Sequence, residues 1–446
     1  MDRTGVEPAQ VPPTCGHHGR LKEQQMENPP KTVQGDAVAG RAQIEWVRKN
    51  SPVLDGFVRE RIGRSLQGVR IAVVVHLEAK TAFLATVLAD AGAEVIAAGS
   101  NPRTTRADVV AALRERGITV VAEEGGDIES WEAELLAAAD HAPDYVIDDG
   151  AELTMRMLRH RPELFARLRG VSEETTTGTG RLHALQTAGS LPFPALTAND
   201  ARCKHLFDNR FGTGQTTIQA LLRLTNRQIA GAVIVVVGYG YVGRGIAEYA
   251  KAMGAQSRVI ETDPVRALEA LMDGHAVGPA RQMLPGAGFV VTATGGMRAI
   301  GAVDLPHLDD DVVLANAGHH DLEVDVEAIA AAASATSSPR PGVDTYTVDG
   351  RDLHVLTGGA LVNIAGGSGH PVEIMDLTFA VQGLGAHHLI TSELEPGVHV
   401  IPRELDDAIA AAKLASRGVV LDAHREDQTD DAAQWLEQPT TSEGAR

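Results

Sequence analysis

Short apolar runs rich in Val, Ile and Ala alternate with longer mixed stretches along most of this chain. A run of four to eight such residues between turn signals reads as a buried strand, and the mixed stretches read as helices. In the first half, residues 68–75, 94–98, 119–122 and 145–147 read as strands, with helices at 81–92, 108–116 and 131–139. A second alternation starts near Gly214, with apolar runs at 233–237, 256–260, 289–293 and 312–315. Residues 171–178 (Val-Ser-Glu-Glu-Thr-Thr-Thr-Gly) are too polar and too rich in threonine to read as a core element. No internal repeat is evident. Strand–helix alternation of this kind predicts parallel sheets covered on both faces.

The run at 233–237 breaks at once into Gly238-Tyr239-Gly240-Tyr241-Val242-Gly243, and residues 246–253 read as a helix. Strand, glycine turn and helix in that order are the context a dinucleotide fingerprint requires. Gly238 permits the tight turn, Gly240 lets the backbone approach a pyrophosphate, and Gly243 lets helix and strand pack closely. The phosphates would sit on the helix N-terminus, where free N–H groups favour anions. The next strand ends in Glu261, 18 residues after Gly243, against a usual spacing of about 20 for the acidic residue that holds the ribose hydroxyls. A carboxylate there repels a 2′-phosphate, so the expected cofactor is NAD rather than NADP. The predicted fold is α/β, with two doubly wound Rossmann-like domains facing each other across a cleft.

A formal net charge of −19 argues against nucleic acid or an anionic membrane as the main partner. No stretch of about 18 apolar residues occurs, so no membrane span is expected. Two cysteines, Cys15 and Cys203, make no disulfide framework and point to the cytoplasm. Residues 1–38 are polar and proline-rich and read as a disordered extension; residues 416–446 read as a tail with one short helix around Trp435. Cys15-Gly16-His17-His18 and His319-His320-Asp321 have some character of metal ligands. The first lacks partners at matching spacing, and adjacent residues at a strand end point apart, so no metal site is expected.

In open α/β sheets, ligands bind beyond the carboxyl ends of the strands. The side chains falling there are His76, Asp148 and Asp149 in the first region and Asn316, His319, His320 and Asp321 in the second. Between them lie Glu173-Glu174-Thr175-Thr176-Thr177 and Asn199 to Asn209, which includes Lys204 and Asp208; Asn363 and His370 lie in a last glycine-rich segment. Each has a bland alternative: a strand-end aspartate often caps the next helix, and a threonine cluster can satisfy its own turn. Their joint placement beside a dinucleotide site is what raises the functional reading.

These residues fall in long matching stretches. They include His76-Leu77-Glu78-Ala79-Lys80-Thr81, Ile147-Asp148-Asp149-Gly150, Ser172-Glu173-Glu174-Thr175-Thr176-Thr177-Gly178 and Phe207-Asp208-Asn209-Arg210-Phe211-Gly212. The fingerprint, Glu261-Thr262-Asp263-Pro264, Asn316-Ala317-Gly318-His319 and Leu361-Val362-Asn363 continue the series. In order, and over roughly residues 40–415, the chain resembles the S-adenosylhomocysteine hydrolase family. The resemblance implies an NAD that is reduced and re-oxidised within each turnover. The substrate 3′-hydroxyl becomes a ketone, the neighbouring C4′–H becomes acidic, the 5′ substituent leaves, water adds to the 4′,5′-alkene, and the ketone is reduced again.

By the same resemblance, Lys204 and Asp208 handle the 3′-hydroxyl, Lys204 with a depressed pKa. Glu174 clamps the ribose, His76 and Asp149 serve the leaving group and water, and His319 lines the pocket. Thr175, Thr176, Thr177, Asn209, Gly238, Gly240, Tyr241, Val242, Gly243, Glu261, Thr294, Asn316 and Asn363 are implied NAD contacts. Glu78, Lys80, Thr81, His370, Met375 and Phe379 are implied substrate contacts. The nucleoside domain is implied to be discontinuous, spanning 39–213 and 371–415 around an NAD domain at 214–370, in a homo-oligomer, a tetramer or a dimer.

The chain departs from the common family pattern in three places. Glu78 and Lys80 stand where many members have Thr and Glu to grip adenine, as in a branch with members linked to inosyl substrates. Thr104-Thr105-Arg106-Ala107 replaces the residues usual near the amino-acid end of the substrate, and the familiar C-terminal motif is absent. The expected activity is hydrolysis of S-adenosylhomocysteine or a related nucleoside thioether, with a role in one-carbon metabolism. A nucleoside dehydratase of antibiotic biosynthesis, using the same chemistry without adding water, stands as the alternative. A silent NAD-binding regulator is the third.

Overall fold

A computed structural model of the protein describes residues 35–319 and 321–422. The readings of residues 15–18, of His320 and of a helix near Trp435 fall outside the described residues. The described chain forms two sheets. The first holds β1 (Arg70–Val75), β2 (Glu94–Gly99), β3 (Thr119–Val120), β4 (Tyr145–Asp148), β5 (Gly170–Glu173) and β6 (Pro194–Thr197). The second holds β7 (Val233–Val237), β8 (Gln256–Ile260), β9 (Ala276–Val277), β10 (Phe289–Thr292), β11 (Val312–Asn316), β12 (Ala335–Arg340), β13 (Val343–Val348) and β14 (Arg351–Leu356). The chain then returns to the first sheet, where β15 (Gly397–Val400) pairs in parallel with β6.

The strand orders are β15-β6-β5-β4-β1-β2-β3 and β12-β13-β14-β11-β10-β7-β8-β9. Both contain the doubly wound order, in which the chain runs outward from a central strand, returns, and runs out the other way. The reversal lies between β1 and β4 in one sheet and between β7 and β10 in the other. At those points neighbouring crossovers part and leave a crevice beyond the strand ends. The second sheet also carries an antiparallel meander, β12–β13–β14, outside the expected parallel pattern.

Strands at the centre of such sheets are covered on both faces, which is why β1, β4, β7 and β11 read as continuous apolar runs. Ile71, Val73 and Val75 pack on one face of the first sheet, and Ala72 and Val74 on the other. The helix Val372–Thr391 crosses the first of these faces with Leu377, Phe379, Ala380, Val381 and Leu384 buried.

Two expectations need correction. The stretch beginning at Val171 is a core element after all: β5 is buried at every position, between β4 and β6. The helix Thr176–Thr187 follows it, capped by Thr175 accepting from the Gly178 N–H. A buried glutamate misled the sequence reading; Glu173 is compatible with burial because four donors surround it, as described below. The extension also ends earlier than residue 38. The helix Ala37–Lys49 begins inside it, with the Asp36 carboxylate accepting from the N–H groups of Val38 and Ala39.

Candidate functional site

The carboxyl ends of both sheets open into one cavity of about 1260 Å³. Residues from both sheets line it, together with the helix Val372–Thr391 that returns the chain to the first sheet. Among the implied site residues, His76, Glu78, Lys80, Thr81, Asp149, Glu174, Lys204, Asp208, His319, His370, Met375 and Phe379 line it. So do Thr175, Thr176, Thr177, Asn209, Gly238, Gly240, Tyr241, Val242, Glu261, Thr294 and Asn363.

Two do not. Gly243 packs under the loop, where a Cβ would lie 1.9 Å from the Gly238 carbonyl oxygen. Asn316 is buried behind the cavity wall. Its Nδ2 donates to the carbonyls of Gly318 and Gly359, and its Oδ1 accepts from Thr292 and from the Gly318 N–H. It shapes the turn that delivers His319 rather than facing a ligand.

One cluster forms around Lys204. The short helix Arg202–Lys204 widens into a π-helical stretch, His205–Gly212. In that geometry residues four and five further on both sit over the starting residue. Lys204 Nζ thus donates to Asn209 Oδ1 at 2.7 Å and lies 3.5 Å from Asp208 and 3.7 Å from Glu174. Thr378 donates to Asp208 Oδ2, and His370 Nδ1 lies 2.6 Å from Asp208 Oδ1. Burial alone would raise the Asp208 pKa, but Lys204 and His370 hold it well below the carboxylate range. Burial pushes Glu174 up to about 8, so at neutral pH it is a carboxylic acid, with one oxygen accepting from Gln382. Lys204 departs from expectation. Burial lowers its pKa, yet the carboxylates around it, Asp208 first, win and raise it. An ammonium facing an ionised Asp208 is the resting state.

The second cluster spans both sheets. His76 follows β1, Asp149 follows β4, and His319 follows β11. His76 Nε2 lies 3.5 Å from Asp149 Oδ2, and His319 Nδ1 lies 3.6 Å from Asp149 Oδ1. Ser100 donates to Asp149 Oδ2, and His76 Nδ1 pairs with Thr104 Oγ1 at 2.8 Å. Burial opposes charge on both partners. It lowers the His76 pKa; Asp149, by contrast, stays below its ordinary value, because the two imidazoles and the Ser100 hydroxyl outweigh its burial.

Two buried carboxylates, Glu173 and Glu323, brace these turns. Glu173 accepts from the N–H groups of Gly150, Ala151 and Thr175 and from the Thr175 hydroxyl. That fixes the left-handed Gly150-Ala151 turn after Asp149. Gly150 is required there, since a Cβ would lie 2.6 Å from His319 Nε2. In the second sheet Glu323 does the same for the loop after β10, accepting from the N–H groups of Thr294 and Gly295 and the Thr294 hydroxyl. Ser100, Glu323, Thr378 and Gln382 were missed. The available signal was polar residues inside apolar runs, as with Asp376, Thr378 and Gln382 in the helix Val372–Thr391.

The dinucleotide half fits its ligand. Gly240 faces open space, the nearest atom to an added Cβ being Arg266 Nη1 at 3.9 Å. The helix Tyr241–Ala252 starts there with its N–H groups directed into the loop. Glu261 is held by the N–H groups of Tyr239, Thr262 and Asp263. Asn363 Oδ1 is buried without a hydrogen-bond partner among the described residues, an acceptor awaiting a donor.

Residues 33–163 match the family described as S-adenosyl-L-homocysteine hydrolase, and residues 209–369 match its NAD binding domain. The chain is 44% identical to the adenosylhomocysteinase of Thermococcus kodakarensis over 403 residues, covering 90% of this chain and 96% of that protein. It is 43% identical to the adenosylhomocysteinase of Thermotoga maritima, covering 89% and 99%. It is 42% identical to the S-inosyl-L-homocysteine hydrolase of Methanopyrus kandleri, covering 90% and 96%. The chain belongs to the S-adenosylhomocysteine hydrolase family. It is an enzyme, and its cofactor is NAD.

Arg106 belongs to the segment expected near the substrate's amino-acid end. It does not line the cavity. Its Nη2 donates to the carbonyls of Ile364 and Gly367, at 3.2 and 3.3 Å. Lys80 Nζ likewise donates to the Ser368 carbonyl at 3.0 Å while pairing with Glu78 at 2.8 Å. Two cations of the first sheet's domain thus hold the 364–368 loop. No described helix is long and apolar enough to cross a membrane.

Proposed function

We propose that this enzyme hydrolyses the thioether of S-adenosyl-L-homocysteine, or of its inosyl counterpart, to the nucleoside and L-homocysteine. The observation that carries the reading is the placement of two clusters, Lys204–Asp208–Glu174 and His76–Asp149–His319, in the cavity that also holds the dinucleotide loop. When bound, NAD supplies a reversible two-electron oxidation of a secondary alcohol.

The residues then divide the work. Glu174, protonated at neutral pH, donates to a ribose hydroxyl. Lys204 and Asp208 serve the 3′-hydroxyl. An ammonium accepts no proton, so Lys204 Nζ must first lose one. Asp208, His370 and Thr213 form a connected path for it, with 2.6 and 3.0 Å contacts. His76 and Asp149 take the C4′ proton as the 5′ sulfur leaves and pass it to the departing thiolate, then take a proton from the entering water and return one to C4′, with His319 closing that end. One water enters for each homocysteine released, and the nucleoside leaves at its original oxidation state. Lys80 offers a donor and Glu78 an acceptor at the base, a pairing suited to a purine with an oxygen at position 6 and a protonated ring nitrogen.

The reading includes a homo-oligomer. The helix Pro264–Met272 exposes Val265, Leu268, Leu271 and Met272, an apolar face suited to a second copy. The test is direct: supply S-adenosyl- and S-inosyl-L-homocysteine and titrate released thiol. Thiol release from either substrate, with nucleoside as co-product, is the expected result. No thiol release, with a nucleoside alone converted to a product one water lighter, would replace this reading with the dehydratase.

A further inference from the structure

The return helix Val372–Thr391 does more than cover the first sheet. Much of it is buried among apolar side chains, yet Thr378 and Gln382, four residues apart and so on one face, are fully enclosed. Enclosed polar groups need partners. Thr378 donates to Asp208, and Gln382 joins a buried chain of side chains that ends on Glu174. Ser172, on β5, donates its hydroxyl to Gln382 Oε1 at 2.6 Å, and Gln382 Nε2 donates to Glu174 Oε2 at 2.6 Å. We propose that Gln382 is a positioning residue for the redox step: its amide holds Glu174 Oε2 as an acceptor, so that the carboxyl proton sits on Oε1 and is directed at the ribose. This rests on the reading of Glu174 as the donor to a ribose hydroxyl.

The direction follows from what each group can donate. A glutamine amide has a carbonyl that only accepts and an NH2 that only donates. The Ser172 hydroxyl supplies a hydrogen to the carbonyl, which turns the NH2 toward Glu174. Two hydrogens do not fit in a 2.6 Å gap between nitrogen and oxygen, so a protonated Glu174 carries its hydrogen on Oε1. Lys204 Nζ lies 3.7 Å from that oxygen, beyond hydrogen-bond length, and donates instead to Asn209 at 2.7 Å. Gly385 keeps the helix close to β5, since a Cβ there would lie 3.0 Å from Ile401 Cδ1 and 3.8 Å from Ser172 Oγ.

Without the amide, the proton would populate either oxygen, and a share of the molecules would offer the hydroxyl an acceptor in place of a donor. Acidity would change with it. Burial raises the Glu174 pKa to about 8, and the Gln382 amide, which favours the ionised form, opposes that rise.

The test uses the full-length, NAD-loaded enzyme. Adenosine and inosine are each mixed with it, and the appearance of reduced cofactor is followed by rapid mixing over a range of pH. In the parent, the rate at low nucleoside should fall as pH rises through about 8, where Glu174 loses its proton. Gln382→Met keeps the length and removes the donor. Its alkaline limb should move up by about one pH unit, and its rate below the limb should fall by about tenfold. Ser172→Ala frees the amide to turn its carbonyl toward Glu174, so its limb should shift the same way. Ser172→Ala/Gln382→Met should shift no further than Gln382→Met alone, because both changes act through one chain.

NAD content and melting temperature are measured alongside. A purely structural Gln382 would lower the melting temperature and leave the limb where the parent has it. That result, or additive shifts in the double variant, would overturn the proposal. Should Gln382→Met fail to fold, the limb of Ser172→Ala decides: an upward shift supports the proposal, and the parent's limb refutes it. A parent that reduces no cofactor with either nucleoside fails the reading of the site itself. A parent that does so, with variants that keep its limb, fails this proposal alone.

Discussion

The two halves of this molecule share a topology and divide the chemistry. Each sheet runs outward, returns and runs out again, and each has a buried glutamate bracing a strand-end turn beside its reversal point. The first half fills its crevice with ionisable side chains: His76, Asp149, Glu174, Lys204 and Asp208. The second presents glycine backbone, a helix N-terminus and one carboxylate, Glu261. Backbone N–H groups hold an anion without exchanging protons, whereas side chains of shifted pKa exchange protons and hold little. The same fold thus supplies a cofactor cradle on one side and an acid–base site on the other, and function follows the strand-end residues.

The sharpest way to break that comparison is Lys204→Ala. It should lower kcat by about 10³-fold, within the range of an acid–base group, while the NAD content of the purified protein stays unchanged. Substrate should then produce no reduced cofactor. Asp149→Asn should also fall by about 10²–10³-fold, but with reduced cofactor accumulating, because the ketone forms and goes no further. Should Lys204→Ala still reduce the cofactor at the parent rate, the first half does not hold the redox-step base.

Glu261→Ala tests the second half. It should weaken NAD by roughly tenfold, about the loss of one good hydrogen-bonded contact, and admit NADP. Arg266, which lines the cavity beside it, is then free to meet a 2′-phosphate. Equilibrium binding of both dinucleotides reads this. Continued exclusion of NADP would mean that Glu261 is not the discriminating group.

The paired glutamates give a smaller and more diagnostic effect. In Glu173→Gln and Glu323→Gln, an amide N–H faces backbone donors, at a cost of about 1–3 kcal/mol each. Thermal melts should show similar losses. Kinetics should separate them: Glu173→Gln lowers kcat through the Asp149 turn, and Glu323→Gln raises the NAD dissociation constant through the Thr294-Gly295 loop. Identical kinetic profiles would erase the distinction between the halves.

A last effect is one of pH. The Glu174 carboxyl is raised in the folded state to about 8 from an ordinary 4.5. The unfolded chain therefore loses this proton at lower pH than the folded one. Between about 4.5 and 8 the folded state binds the extra proton, so this group's contribution to stability falls as pH rises through that window and levels off above it. Glu174→Gln should remove that slope, leaving a variant whose melting temperature declines less between pH 5 and 8 than the parent's, by a few degrees at most. Equal slopes would place the raised pKa elsewhere.

Much of this was legible beforehand for local reasons. A strand followed by a glycine turn and a helix is specified by neighbouring residues, so the dinucleotide loop, Glu261 and most strands could be read in order. Motif resemblance brought in the cluster residues by position. What failed did so where local and tertiary preferences disagree. β5 looks polar because Glu173 and Ser172 are judged by their own side chains, while their burial depends on partners such as Gly150, Ala151 and Gln382 that are distant in sequence or on other elements. Arg106 stood out only as a departure near the expected amino-acid end of the substrate, and only the fold brings the carbonyls of Ile364 and Gly367 to it.

The sequence by itself determined the fold class, the cofactor and the set of reactive side chains, since each depends on residue type and short-range order. The tertiary structure decided their states. Whether Lys204 is charged, whether Glu174 keeps its proton and whether Asp149 meets one imidazole or two depend on which groups from distant segments share a buried space. Coulomb and desolvation energies are set by separations of a few ångströms, and those separations exist only once both sheets have closed on one cavity.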